Sequence, residues 1–163
     1  MSTIDKKIKN IKMVGTDIDG VWTDARMYYT EDGDLMKAFS TYDGFGVQLL
    51  KKHNYLTCIL TSENSKIVLA RAKKLNIKEV YINEHNKLKR MQYLCEKYNI
   101  KMTEVAYIGD DLNDLELLKQ VGFSVLVKNS PIINQFKPDY VTNKSGGQGA
   151  FRELSDLIIT INS

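Results

Sequence analysis

Five short apolar runs, IKMVGTD, YLTCILT, EVYI, VAYIG and FSVLV, recur along this 163-residue chain, and between them apolar residues return at every third and fourth position. Runs of that length read as strands, and the intervening spacing reads as helices that each bury one stripe. Strands alternating with helices are joined by right-handed crossovers, which set the strands parallel and lay the helices over the sheet. The fold class that follows is α/β.

The clearest helix spans 86–98, with Leu88, Met91, Cys95 and Tyr98 on one stripe. Leu112, Leu115, Leu118 and Val121 mark another, which Gly122 is expected to stop as the residue just past its end. Phe151, Leu154, Ile158 and Ile161 form the stripe of a last helix. One segment breaks the rhythm. In RMYYTEDGDLMKAF two apolar and aromatic arms flank Asp32-Gly33, a dipeptide suited to a tight turn, and a protruding β-hairpin is expected over about 24–39. No linker, repeat or low-complexity tract divides the chain. A single domain over 1–163 is expected, a Rossmann-like parallel sheet with helices on both faces plus the hairpin.

Hydrophobic residues make up 43% and charged residues 26% of the chain, which gives no support to a disordered, fibrous or membrane reading. The net charge of +3 is dispersed; only Lys66, Arg71, Lys73 and Lys74 gather, on one helix, where they read as a solvated face. A nucleic-acid surface would need a denser basic stripe with aromatics to stack on bases, so no such partner is expected. Cys58 and Cys95 fall inside apolar patterns without metal-type spacing and read as reduced core residues. MSTIDKKIKN lacks the apolar core of a signal peptide, and no apolar run approaches the ~20 residues of a spanning helix. No membrane partner and a cytoplasmic location are the expectations.

Two of the apolar runs end in aspartates: Asp17 and Asp19 after the first, and Asp110, Asp111 and Asp114 after the fourth. Open parallel sheets bind ligands beyond the carboxyl ends of their strands, where loops converge and helix amides point at anions. Residues two apart on an extended segment point the same way, roughly 6–7 Å apart, so Asp17 and Asp19 can address one substrate from one side. Asp110, at the tip of a neighbouring strand, can join them. Clustered carboxylates raise one another's pKa, so a cation is expected among them. Magnesium meets the requirement, since it takes oxygen ligands, uses few carboxylates and completes its shell with water and phosphate oxygens. Taken alone, Asp111 and Asp114 also suit helix caps and turns.

DIDGVWTD, ILTSE, Lys87 and GDDLND resemble, in order, the four motifs of the haloacid dehalogenase superfamily of phosphatases; the hairpin, FSTYDGFGV and GGQGAFRE extend the resemblance over nearly the whole chain. Within the superfamily the chain is similar to small, capless phosphatases of phosphorylated 2-keto-3-deoxy sugar acids, the octulosonate 8-phosphate and nonulosonate 9-phosphate enzymes. The resemblance implies that Asp17 attacks phosphorus to form an aspartyl phosphate. Asp19 would protonate the departing alkoxide and then activate the hydrolytic water. Magnesium would be held by the Asp17 carboxylate, the Asp19 backbone carbonyl and Asp110, with Asp111 and Asp114 orienting that shell. Thr61 would donate its hydroxyl to the phosphate. Lys87 starts a helix, where a lysine is mismatched to the positive dipole end; the phosphate or the Asp17 carboxylate would resolve the mismatch.

On the substrate side, Ser40, Thr41, Tyr42, Asp43 and Gly44 open a helix, where amides and Asp43 can hydrogen-bond a sugar acid or simply cap the helix. The octulosonate enzymes commonly carry an arginine where this chain has Tyr42, and Gly-Arg where it has Ser62 and Glu63. Glu63 and Trp22 look more like the nonulosonate members and YDGFG more like the octulosonate members, so both substrates stay open. Arg71 is a candidate for the sugar carboxylate, which a guanidinium matches bidentately, or else a surface arginine. The expected substrate contacts are thus Asp19, residues 40–44, Glu63, Arg71 and Lys87.

A site without a cap lies open to water, whereas phosphoryl transfer benefits from its exclusion. The resemblance implies a homotetramer whose neighbouring subunits close each site; the aromatic arms of the hairpin, Tyr28, Tyr29 and Phe39, offer a docking surface, or else the hairpin packs on its own domain. Two rival readings are a non-catalytic assembly module, as in relatives fused to sugar-acid cytidylyltransferases, and a phosphoacceptor signalling domain. Intact nucleophile and acid–base positions weigh against the first. Asp19 weighs against the second, because a general base shortens the life of an aspartyl phosphate. His53 and His85 have no partner pattern and read as surface or loop residues.

Overall fold

The computed structural model describes residues 2–163. In chain order its strands are β1 (Met13–Thr16), β2 (Tyr28–Thr30), β3 (Gly33–Met36), β4 (Leu56–Leu60), β5 (Glu79–Tyr81), β6 (Val105–Gly109), β7 (Phe123–Leu126) and β8 (Tyr140–Val141). The helices are α1 (Thr3–Ile8), α2 (Thr41–Lys52), α3 (Lys66–Lys74), α4 (Lys87–Tyr98), α5 (Leu115–Leu118) and α6 (Ala150–Asn162). Six strands form one parallel sheet in the order β5-β4-β1-β6-β7-β8, while β2 and β3 pair antiparallel as a separate hairpin. From β1 the chain moves outward to β4 and β5, then returns to add β6 on the other side of β1. That reversal opens a crevice between the carboxyl ends of β1 and β6.

Alternation along the central strands feeds two cores. Val14, Ile59, Ala106 and Ile108 face one side, where they meet Val47 and Leu50 of α2, Val68 and Ala72 of α3, and Phe151, Leu154 and Ile158 of α6. Met13, Cys58, Leu60, Val105 and Tyr107 face the other, against Met91, Leu94 and Cys95 of α4 and Leu117 and Leu118 of α5. Both cysteines are free thiols in this second core. Helices on both faces are thus what the two-fold side-chain period of buried parallel strands requires.

Departures from the sequence-based expectation are local. Residues 3–8 form a helix capped by Ser2 and Asp5 that no long apolar stripe announced, and β8 is too short for a pattern. The stripe at 112–121 becomes a 3-10 turn over Leu112–Asp114 and only one turn of α-helix. Gly122 is not a left-handed cap: its amide donates to the Met102 carbonyl at 2.9 Å, and a Cβ there would stand 2.0 Å from the Thr103 carbonyl oxygen. Close approach explains that glycine. Phe39 also departs, packing against the first core under Arg71 instead of joining an exposed hairpin surface. His53 sits exposed at the end of α2 and His85 exposed in a loop. No helix among the described residues is long and apolar enough to cross a membrane.

Candidate active site

Thr16 pairs with Ile108 at the ends of β1 and β6, and the next amide, that of Asp17, still donates to the Ile108 carbonyl at 3.1 Å. This register brings Asp17 and Asp110 to adjacent tips. The chain does not stay extended to Asp19 as expected. The amides of Val21, Trp22 and Thr23 all return to the Ile18 carbonyl, and the turn so formed swings Asp19 over the same cavity. Gly20 takes φ +87° within it, and a Cβ there would lie 1.9 Å from Asp110 Oδ2, so only glycine admits the Asp110 carboxylate. The turn is braced from behind: Trp22 Nε1 donates to Thr16 Oγ1, its ring lies against Phe151, and the Gly147 amide donates to the Val21 carbonyl. GGQGAFRE therefore reaches the site by supporting the loop that carries Asp19.

The cavity has a volume of about 390 Å³, and Asp17, Asp19, Thr61, Glu63, Asp110 and Asp111 are on its wall. Thr61 is buried at the tip of β4, where its amide donates to the Tyr81 carbonyl at 3.0 Å. Ser62 bonds Asn113 at 3.1 Å and ties that tip to the loop after β6.

Beneath the wall lies a buried polar network. Lys87, at the start of α4, sends its Nζ to Asp17 Oδ2 at 2.9 Å and to Asp114 Oδ1 at 2.7 Å. The dipole mismatch of a lysine at a helix start is offset by these two carboxylates. Tyr107 Oη also donates to Asp114 Oδ1, at 2.7 Å, while the amides of Asp110 and Asp111 donate to Asp114 Oδ2 at 2.9 and 3.4 Å. Every acceptor position of Asp114 is thereby taken. Asp111 uses a carboxylate oxygen to cap its own turn, accepting from Leu112 N at 2.7 Å.

Carboxylate oxygens of Asp17, Asp110 and Asp114 lie within 4.8 Å of one another. Burial, reinforced by the charge of Asp114, pushes the Asp17 carboxyl well above the ordinary range. Burial and the same neighbour raise Asp110 to about 7. Burial alone would depress Lys87, yet the carboxylates of Asp17 and Asp114 hold its ammonium above the usual lysine value. All three directions say that the cluster is short of positive charge. An all-oxygen donor set in that condition fits a hard divalent cation. Asp17 and Asp110 have oxygens to offer it, whereas Asp114 is saturated by its donors and acts by orienting Lys87 and the Asp110 backbone.

Of the expected substrate contacts, Asp19 and Glu63 line this cavity, and residues 40–44, Arg71 and Lys87 are not on its wall. Ser40 caps α2, accepting from Tyr42 N at 3.2 Å; Thr41 and Tyr42 are exposed, and Gly44 is buried beneath the Arg71 guanidinium. Arg71 donates to the Ser40 carbonyl and lies over the Phe39 ring. Asp43 is wholly buried and accepts from Arg152 N at 2.9 Å, capping α6 from across the fold where Gly149 has no side chain to do so. Lys37, which no spacing singles out, is one residue that sequence reasoning misses: its Nζ stands 2.6 Å from Asp19 Oδ1. Tyr107 was missed as well, being indistinguishable from a core aromatic in the run VAYIG.

Known proteins place this geometry. A family model described as haloacid dehalogenase-like hydrolase matches residues 29–154. A 3-deoxy-D-manno-octulosonate 8-phosphate phosphatase of Salmonella typhi is 37% identical over 153 residues, 94% of this chain and 81% of the relative. The crystal structure of the enzyme of that name from Moraxella catarrhalis, in complex with magnesium ion, phosphate ion and KDO, superposes with a TM-score of 0.93 at 37% identity, covering 99% of this chain and 92% of that one. A cobalt-bound form of the Haemophilus influenzae phosphatase gives 0.92 at 35% identity over 96% of this chain and 91% of that one. Sequence and fold agree, and the chain belongs to the haloacid dehalogenase-like hydrolase family.

Proposed function

We propose that the chain is a magnesium-dependent phosphatase that hydrolyses the phosphate monoester of a 2-keto-3-deoxy sugar acid, octulosonate 8-phosphate in the first place, through an aspartyl phosphate on Asp17. One observation carries the reading: Asp17 is a buried carboxylate at a strand tip, opening on the cavity beside Asp110, with Lys87 at 2.9 Å and Asp19 on the same wall. An Asp17 oxygen attacks phosphorus as the bond to the sugar oxygen breaks, and Asp19 gives that oxygen its proton. Asp19 then takes a proton from the water that attacks the aspartyl phosphate, freeing inorganic phosphate and Asp17. Lys87 offsets charge on Asp17, and the Thr61 hydroxyl donates to a phosphate oxygen. The Asp17 and Asp110 carboxylates and the Asp19 backbone carbonyl would hold magnesium, which when bound would supply positive charge to neutralise and align the transferring group.

The substrate assignment is supported by the names of the Salmonella and Moraxella relatives. It is also shaped by what the wall lacks. None of the described residues lining the cavity is basic, although a sugar acid brings a carboxylate as well as a phosphate. The missing cation is assigned to a neighbouring subunit, which also closes the open site, in a homotetramer docked through the hairpin. Nonulosonate 9-phosphate, which Glu63 favours, is the competing substrate of the same class.

Phosphate release from octulosonate 8-phosphate, nonulosonate 9-phosphate and hexose phosphates, with magnesium and after chelation, tests the reading. Turnover should need magnesium, prefer the keto acids and vanish in Asp17→Asn. Equal rates on hexose phosphates remove the keto-acid assignment, and an active Asp17→Asn variant removes the mechanism.

A further inference from the structure

Lys37 leaves the second strand of the hairpin and turns inward, and its side chain is 0% exposed although every side chain of β2 faces solvent. The ammonium bridges Asp19 Oδ1 at 2.6 Å and Asp34 Oδ2 at 3.4 Å. Asp19 Oδ2 is buried and has no hydrogen-bond partner, and the same holds for Asp34 Oδ1. One lysine thus supplies the side-chain contact that anchors the Asp19 carboxyl, through Oδ1, while Oδ2 is shut away from solvent.

Resting on the reading of Asp19 as acid and base, we propose that Lys37 is a positioning residue: it holds Oδ1 and so fixes the rotamer of the Asp19 carboxyl on the cavity wall. The hairpin therefore does more than border the cavity. Its second strand ends in the side chain that sets the geometry of proton transfer, and a carboxyl out of alignment by a fraction of a hydrogen bond loses most of its acid–base advantage.

Lys37→Met tests this with two esters. On octulosonate 8-phosphate, whose alkoxide must be protonated to depart, kcat should fall about 100-fold with KM changed less than about threefold. On p-nitrophenyl phosphate, whose phenolate leaves unaided, the pre-steady-state burst of phenolate should keep its rate to within about threefold. Lys37→Arg, which keeps a charged donor on Oδ1, should restore at least about a tenth of the lost kcat. A Met variant within about threefold of wild type on the sugar ester, an equal loss on both esters, or an Arg variant as impaired as the Met variant overturns the proposal. Should the Met variant fail to fold, Lys37→Gln is judged by the same two esters. If the wild-type protein hydrolyses neither ester, the functional reading falls before any variant is made, and this proposal falls with it.

Discussion

Beneath the cavity, Asp114 engages both carboxylate oxygens with Lys87, Tyr107 and two backbone amides, whereas at its rim the hairpin leaves Tyr29 66% exposed and one oxygen each of Asp19 and Asp34 buried without a partner. Around Asp114 the floor is complete within one chain, while Asp17 and Asp110 keep oxygens for a cation. An uncompensated charge at that depth costs several kcal/mol, which is why Asp114 is matched on both oxygens. The rim is built the other way: Met27, Tyr28, Leu35 and Met36 also lie exposed, and its one buried cation reaches down to the loop after β1. Burial makes the floor rigid, and exposure leaves the rim's geometry open to whatever packs on it.

The largest expected effect would break the floor. Lys87→Met leaves Asp17 and Asp114 facing each other unpaired and should cost about 3–5 kcal/mol in urea unfolding, besides abolishing turnover. A loss under about 1 kcal/mol would show that the floor tolerates an unmatched charge after all. Next comes the cation. Magnesium at about 100 times its Kd should stabilise the wild-type protein by about 2.7 kcal/mol, chelation should remove that gain, and Asp110→Asn should shrink it. Unfolding midpoints that ignore magnesium would leave the acid cluster without its proposed ligand.

Asp43 sharpens the contrast, being as buried as the floor yet carrying an unpaired Oδ2 like the rim. Burial raises it from the ordinary 3.8 to about 6, against the backbone amides of Arg152 and Phe151 that lower it. A raised carboxyl favours the neutral form in the folded state, so its stabilising contribution is present below about 3.8 and is lost as pH climbs to about 6. Asp43→Asn should match wild type at the acid end of that window. Above it the variant should be more stable by up to about 3 kcal/mol, since each tenfold change in proton affinity is worth about 1.4 kcal/mol. Unfolding curves that stay parallel across this range would discard the burial account. The smallest effect belongs to the rim: Tyr29→Ser and Leu35→Ser should change monomer stability by no more than about 0.5 kcal/mol while lowering the mass of any assembly seen in sedimentation. A large loss of stability would make the hairpin part of the core.

The floor was far more legible than the rim. Asp17 and Asp110 end apolar runs, and strand tips in a parallel sheet meet at its switch point wherever the intervening chain goes. Lys87 was readable as an anomaly, a cation at the wrong end of a helix, and its two carboxylate partners supply the reason. By contrast Lys37 sits among hairpin residues of no periodic meaning, and its approach to Asp19 depends on how the hairpin folds back. Asp43 and Arg71 suit a sugar acid by their chemistry, and equally suit a helix cap and a surface arginine. The structure shows the first capping α6 and the second resting on Ser40 and Phe39, both away from the cavity wall.

Periodicity and strand-end acids alone determined the layer order, the two-sided core and the meeting of Asp17 with Asp110, because local side-chain alternation decides which faces must be buried. Only the tertiary structure decided that Asp114 is saturated, that Gly20 makes room for Asp110, and that Lys37 holds Asp19. Each of those depends on approaches of a few ångströms between segments far apart in the chain, which no pattern of neighbouring residues encodes.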